Sequence, residues 1–185
     1  RVEDSQLATG ELGYFQDQRP PTVDSSQVGD KAVLRLSQQD THGNFWPVFR
    51  SSGDLDWTVH LTPQVPMNLD VKTGTGAVDV DLEKLNLTEL KLNAGTGSVT
   101  AVLPANATST KASINSGVGS LDLTVPEGVE AQITVKTGIG VVNVDSRFAK
   151  KGENVYESSG YNDSAKHKLE MTVNAGVGSV DISSK

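Results

Sequence analysis

The sequence predicts an all-β protein, and three observations support this. First, the chain contains five copies of a Gly-x-Gly step, each followed by residues that alternate between apolar and polar. Second, the steps recur at a nearly constant spacing, with intervals of 21, 22, 21 and 38 residues between the second glycines. Third, helix signals are almost absent. A fixed period of this length is typical of stacked repeats, in which no unit can bury its apolar face alone.

Each repeat predicts two strands joined at the Gly-x-Gly corner. Apolar residues stand two and four positions after the second glycine and five and seven positions before it, which is the alternation of a half-buried strand. The second glycines are Gly76, Gly97, Gly119, Gly140 and Gly178, and the residues two positions later are Val78, Val99, Leu121, Val142 and Val180. Glycine suits the corner because it tolerates positive φ and lets neighbouring backbones approach closely.

Two arrangements of these strands are consistent with the pattern. Successive repeats can stack as a β-solenoid with equivalent residues in parallel ladders, or the strands can form hairpins in an antiparallel β-sandwich. We predict a solenoid of about five 21–22-residue repeats, because equivalent positions match in kind from copy to copy. A sandwich requires the alternation but not that identity. Prolines at positions 63, 66, 104 and 126 mark the opposite corners.

The repeats occupy residues 57–185, and residues 1–56 are less regular. We predict that the N-terminal region is an irregular β cap continuous with the repeats, since the terminal units of stacked repeats are usually atypical. Lys31–Leu36 and Trp57–Leu61 are predicted strands, and Thr9–Leu12 is interpreted as a degenerate corner. The longest interval contains an insertion at 146–167, which we expect to be a loop or short hairpin.

Composition excludes several classes of function. The 185 residues include 16 Lys and Arg against 23 Asp and Glu, a formal net charge of −7, which disfavours nucleic acid as a partner. Cysteine is absent, so disulfides and thiolate metal sites are excluded. No apolar run is long enough to span a membrane. Because the chain begins at Arg1, we expect it to be excised from a longer protein and any membrane link to lie outside it.

No catalytic, cofactor or metal site is predicted. The Gly-x-Gly steps lack the third glycine and following helix of a dinucleotide fingerprint. The histidines His42, His60 and His167 are scattered, and no Gly-x-Ser-x-Gly nucleophile motif occurs. An outward column of Asp79, Asp122 and Asp181 would place like charges side by side, and weak binding of a cation such as calcium there is a hypothesis.

Two segments are candidate interaction surfaces. Phe45, Trp46 and Phe49 form the densest aromatic cluster, and aromatic residues anchor interfaces and stack on sugars. The cluster could equally plug the open end of the repeat core. The insertion is basic, and its Lys150, Lys151, Tyr156 and Tyr161 form a second candidate contact surface, although such a segment could also be a solvated loop.

The region from Trp57 to Ser183 resembles the bacterial toast-rack domain, which occurs in LiaF-like envelope-stress proteins and adhesin-like proteins. Residues 1–53 resemble the N-terminal region of that family more loosely. The matching segments are Leu61–Val71, the Asn-Ala-Gly-Thr-Gly-Ser-Val and Asn-Ser-Gly-Val-Gly-Ser-Leu steps that begin at Asn93 and Asn115, Val125–Val129, Tyr156–Tyr161 and Val173–Val180.

The resemblance implies a noncatalytic β-repeat module of the bacterial cell envelope, exported or membrane-anchored in the full-length protein. LiaF-like members modulate a membrane sensor kinase, so the implied partner is an envelope protein or a further copy of the chain. The alternative function is a carbohydrate-binding or carbohydrate-processing β-solenoid, suggested by the fold and by Trp46 and Trp57.

Overall fold

A computed structural model describes residues 8–12, 22–28, 31–37 and 57–185. The regular elements of these ranges are all strands, in agreement with the predicted class. The chain divides into two compact units, Arg1–Thr62 and Pro63–Lys185. In chain order the strands are β1 Ala8–Leu12, β2 Thr22–Val28, β3 Lys31–Ser37, β4 Trp57–Leu61, β5 Met67–Thr75, β6 Val78–Asp81, β7 Leu87–Val102, β8 Ser109–Val125, β9 Glu130–Val144, β10 Phe148–Lys150, β11 Val155–Ser158 and β12 Lys168–Ser184.

The described residues of the first unit form two antiparallel strand pairs. β1 pairs with β4, and β2 pairs with β3. The strands predicted from Lys31 and from Trp57 are therefore confirmed. The interpretation of Thr9–Leu12 as a corner is wrong, because Gly10 lies inside β1 opposite Val59. β4 belongs to this unit through its pairing with β1, so the division falls after Thr62 rather than after residue 56.

The second unit contains the Gly-x-Gly repeats as a parallel ladder. Four of the repeats are single long strands, β7, β8, β9 and β12, and the first is split into β5 and β6. We call the segment before each Gly-x-Gly step the first arm and the segment after it the second arm. In β7 the buried side chains are Leu87, Leu90, Leu92 and Ala94 in the first arm and Val99 and Ala101 in the second. From Leu90 onward, the buried positions are even-numbered before the Gly-x-Gly step and odd-numbered after it.

The ladder pairs equivalent residues, but not in chain order. Gly97 lies opposite Gly119, Gly119 opposite Gly178, and Gly178 opposite Gly140. In the predicted solenoid, successive repeats are neighbours, whereas β12 lies between β8 and β9. Periodicity alone does not distinguish β9 from β12 as the neighbour of β8, because both carry the same Gly-x-Gly pattern. The insertion lies in the connection from β9 to β12.

This order also changes the expected aspartate column. Thr100 separates Asp79 from Asp122, and Asp122 is adjacent to Asp181. On its other side Asp181 faces Asn143, whose Nδ2 donates a hydrogen bond of 2.6 Å to Asp181 Oδ1. The three carboxylates therefore do not form one continuous row.

The apolar residues that follow the glycines share the interior. Val99, Leu121 and Val180 are fully buried, while Val78 and Val142 are half-buried because their strands lie at the two ends of the ladder. Burying such a side chain contributes about 1.5–3 kcal/mol relative to exposure. The columns of matched aliphatic residues therefore account for much of the stability of this unit.

The glycine corners allow the strands to stack. A Cβ on Gly97 would collide with the backbone carbonyl oxygen of Gly76, and one on Gly119 with that of Gly97. Gly97 also has φ = +140° and Gly119 φ = +145°, a region that residues with side chains rarely occupy. Glycine is therefore required at positions 97 and 119 for two independent reasons, the close approach of the neighbouring strand and the positive φ.

The insertion forms a hairpin that extends the ladder. β10 pairs antiparallel with β11, and β11 pairs antiparallel with the first arm of β9 through Gln132–Thr134. The hairpin thus adds two strands beside the first arm of β9. Beside the second arm, β12 pairs with one side of β9, and no strand of the described residues pairs with its outer side.

Candidate interaction surface

The hairpin brings part of the predicted basic surface together. Lys150 Nζ lies 6.0 Å from the centroid of the Tyr156 ring, which is within cation–π range. This contact follows from strand register, since Lys150 of β10 is directly opposite Tyr156 of β11. Lys150 and Lys151 are exposed and Tyr156 is half-buried. These three residues form a surface with a flat aromatic face and positive charge.

Tyr161 belongs to a separate group. Its ring lies 5.9 Å from Lys168 Nζ, and its hydroxyl donates a hydrogen bond of 3.3 Å to Glu170 Oε1. Lys168 Nζ is also 3.3 Å from Asp163 Oδ1. Burial, followed by the negative charge of Glu170, raises the pKa of the Tyr161 hydroxyl above its ordinary value. Tyr161 is therefore a packed residue linking the insertion to β12.

Arg147 is bound to the body of the repeat unit. Its NH1 donates a hydrogen bond of 3.1 Å to the Pro126 carbonyl, and its NH2 donates another to the Val129 carbonyl. The guanidinium also lies 5.2 Å from the ring centroid of buried Phe148. Arg147 thus fixes the base of the insertion and does not extend the basic surface.

Asp145 forms the turn into the hairpin. Its Oδ1 accepts a hydrogen bond of 2.8 Å from the Arg147 backbone N–H. That bond, together with bonds from Ser184, holds the pKa of the Asp145 carboxyl below its ordinary value. The other predicted surface, Phe45, Trp46 and Phe49, lies outside the described residues.

An asparagine ladder, which was not among the features predicted from the sequence, runs along the outer face of the first arms. Asn115 Nδ2 donates to Asn93 Oδ1 over 2.9 Å, and Asn174 Nδ2 donates to Asn115 Oδ1 over 2.8 Å. Lys72 and Lys136 occupy the same column at its two ends. The signal was present in the sequence, because all three asparagines stand four positions before the second glycine of their repeat.

The ladder borders a shallow open concavity of about 790 Å³ that crosses the five strands at the first glycines. Its lining combines the ladder and its terminal lysines with glycine, alanine, serine and threonine. Neither an aromatic nor an acidic side chain contributes to it. Glycan sites ordinarily use aromatic rings for stacking, and glycosidases use paired carboxylates. This concavity has neither kind of group.

The described residues hold no group of three or more His, Asp or Glu arranged to bind a metal ion. His167 Nδ1 lies 3.1 Å from the backbone oxygen of Ala107, a contact within the fold. Among the described residues there is no helix long and apolar enough to cross a membrane.

The fold and its surface define a class of protein: a β-repeat module with a parallel in-register ladder and a polar, small-residue exterior. Within that class the chain belongs to the toast-rack family. Residues 2–124 match the family model described as the N-terminal domain of toast_rack, DUF2154. The recognition made from the Gly-x-Gly series is therefore confirmed, and the match includes the N-terminal region.

A solved structure supports the assignment. The crystal structure of a "putative cell adhesion protein" from Clostridium sporogenes ATCC 15579 superposes with a TM-score of 0.88 at 29% sequence identity, covering 98% of this chain and 84% of that one. Comparison with curated proteins finds no match.

Proposed function

We propose that this chain is a noncatalytic interaction module of the bacterial cell envelope that uses a stiff β surface to contact another protein, in an adhesin-like manner. The observation that carries the proposal is the exterior of the ladder. It presents amides, hydroxyls and glycines in regular rows, and the concavity beside the asparagine ladder is shallow and has no acidic or aromatic lining. Such a surface suits broad, flat contact better than enclosure of a small substrate.

The comparisons support an adhesive role in an envelope setting. The family match and the similarity to a protein described as a putative cell adhesion protein both favour it. Modulation of an envelope-stress sensor, which the LiaF-like resemblance implies, is a second form of the same proposal. In either form the partner is a protein and the full-length molecule lies at the envelope.

We further propose that the repeat unit is a short parallel β-solenoid rather than a sandwich. The in-register parallel pairing of the repeats and the positive-φ glycine at each corner support this architecture.

The test is binding of the purified chain to envelope fractions of the source bacterium and, in parallel, to a broad glycan panel. We expect saturable binding to the envelope fraction that protease treatment abolishes, and no glycan binding. The double charge reversal K150E/K151E should weaken envelope binding if the hairpin surface takes part. K84E, which alters an exposed lysine in the turn after β6, is the matched control. Saturable binding or cleavage of a glycan, without protease-sensitive binding, would instead establish the carbohydrate function.

A further inference from the structure

The second arm of β9 is an unpaired sheet edge. β11 covers the first arm at Gln132–Thr134, the Val135 N–H donates a hydrogen bond of 2.9 Å to the Asn154 carbonyl, and no described strand pairs with the outer side of residues 137–144. Ile139 is 73% exposed and Val141 59% exposed, and the equivalents of Ile139 in the interior strands, Val118 and Val177, are less exposed at 48% and 45%. Such an edge is a template for another strand unless it is blocked by charge, proline or a cover. None of these blocks residues 137–144 in the described part of the chain.

The edge is recessed. β11 and β10 extend the sheet by two strands beside the first arm and by none beside the second. At about 4.8 Å per strand the second arm lies roughly 10 Å behind the rim of the hairpin. A second copy approaching edge to edge would meet the hairpin first, whereas a single extended segment can occupy the recess. The occupant that this geometry favours is therefore one strand of a partner protein.

The core is open at this level. Val180 and Ile182 in β12 are buried to within 3% exposure, but their counterparts Val142 and Val144 in β9 are only half-buried. An added strand with apolar residues opposite Val142 and Val144 would complete both columns. Each newly buried aliphatic side chain is favourable in proportion to the apolar area removed from water.

The glycine corner restricts which strand can bind. A Cβ on Gly138 would lie 2.6 Å from the Gly176 oxygen, and one on Gly140 would collide with the Gly178 oxygen. In every neighbouring pair of repeat strands, a Cβ at the corner glycine of one strand would collide with a glycine carbonyl oxygen of the other. A strand continuing the ladder must therefore have glycines opposite Gly138 and Gly140. It must also run parallel, since only then does its own corner coincide with the corner of β9.

A charge at the edge adds a further requirement. Lys136 ends the asparagine ladder, is exposed, and forms no ion pair within the described residues. An acidic residue in the incoming strand, opposite Lys136, would complement it. At the other end of the same column Lys72 already has an acidic neighbour, Asp70, at 3.2 Å.

We propose that the β9 edge at Lys136–Val144 binds an extended segment of a partner protein, parallel and in register, with the pattern acidic–small–Gly–x–Gly–x–apolar–x–apolar. The inference rests on the proposed function, because it names the kind of partner segment that the module contacts. It is an instance of β-strand addition, in which backbone hydrogen bonds give affinity and side-chain positions give specificity.

The test is fluorescence anisotropy with the whole chain and a labelled peptide, Asp-Ala-Gly-Val-Gly-Ser-Val-Asn-Ile, flanked by polar residues. We expect saturable 1:1 binding that is lost when both glycines of the peptide are replaced by alanine. K136E should weaken peptide binding at least threefold. A peptide with lysine in place of its aspartate should restore binding to the K136E variant, as expected for an exposed charge pair. K72E, at the other end of the column, should leave binding unchanged.

Absence of saturable binding, or equal binding of the alanine peptide, would overturn the proposal. So would a concentration-dependent dimer that K136E disrupts, because a second copy would then cover the edge. Envelope binding by the wild-type chain separates the two proposals. If it persists while the peptide fails to bind, the strand-addition site is wrong and the interaction module stands.

Discussion

At the glycine corners, neighbouring repeats can stack closely because glycine has a hydrogen atom where other residues have a Cβ. Gly95 and Gly74 both lie outside the positive-φ region, but a Cβ on Gly95 would collide with the Gly74 carbonyl oxygen, whereas one on Gly74 meets nothing within 4 Å. We therefore expect G95A to lower the free energy of unfolding by about 2 kcal/mol or more, and G74A to have little effect. Urea unfolding of both variants measures the difference. Equal losses would show that close stacking is not the reason for the glycine.

A second pair of glycine variants separates the cost of backbone strain from the cost of a steric collision. Gly76 has φ = +126° but open space around its missing Cβ, whereas Gly97 has both φ = +140° and a collision with the Gly76 oxygen. G76A should cost about 1–3 kcal/mol for the unfavourable conformation alone, and G97A should cost clearly more. A G97A variant as stable as G76A would contradict the stacking geometry.

Tyr161 gives a pH-dependent prediction. Burial and Glu170 raise the pKa of its hydroxyl, so its contribution to stability is complete below the unfolded-state pKa of about 10 and is lost as pH rises through the higher folded-state pKa. Ultraviolet titration of tyrosinate should show a component that ionises at higher pH than free tyrosine. Y161F should remove that component, and E170Q should move it toward lower pH. A late component that survives in Y161F would assign it to another tyrosine.

The order of the strands can be tested directly because the chain has no cysteine. Asp122 and Asp181 are paired neighbours, while Asp122 and Asn143 are separated by β12. Adjacent strands place Cα atoms about 5 Å apart, within the range of a disulfide, and next-nearest strands about 10 Å apart, beyond it. We expect D122C/D181C to cross-link under mild oxidation and D122C/N143C to remain reduced. The reverse result would restore the sequential order.

The comparison of sequence with structure explains why the columns could be predicted and the strand order could not. The glycine spacing aligns Val99, Leu121 and Val180, and the structure places them in one buried column. The same spacing makes Val142 and Val180 equivalent, so the period of the sequence does not show whether β9 or β12 lies beside β8. Pairing of β10 with β11 joins two short segments outside the repeats, and no period in the sequence indicates it. The Lys150–Tyr156 contact depends on that pairing.

The asparagine ladder was predictable in principle. Asn93, Asn115 and Asn174 share one offset from the corner, and parallel in-register strands bring like amides into hydrogen-bonding distance. N115A should cost about 1–2 kcal/mol, because it removes two hydrogen bonds and leaves half-buried amide groups without partners. N93A removes one bond and should cost roughly half as much. Thermal or urea unfolding of the two variants provides the measurement, and equal costs would show that the ladder does not act as a continuous row.

The central position of β12 makes the repeat unit depend on its last strand. Besides Ala175, five larger apolar side chains of β12 are buried: Leu169, Met171, Val173, Val180 and Ile182. At roughly 2 kcal/mol each they contribute on the order of 10 kcal/mol, comparable with the net stability of a typical domain, about 5–15 kcal/mol. Loss of β12 would also leave β8 and β9 without the strand that both pair with. The sheet of the repeat unit is therefore continuous only when β12 is in place between β8 and β9.

We accordingly expect residues 63–185 alone to unfold cooperatively, because this unit has its own core, and residues 63–167 to lose that cooperativity. Far-UV circular dichroism on heating distinguishes the two fragments. Hydrogen exchange should show the slowest amides of 63–185 in β7, β8 and β12, whose neighbours cover them on both sides. A fragment 63–167 that still melts in one sharp transition would mean that β9 pairs with β8 directly when β12 is missing. Equal exchange rates in β12 and in the open second arm of β9 would contradict the assignment of β12 as an interior strand and of β9 as the edge.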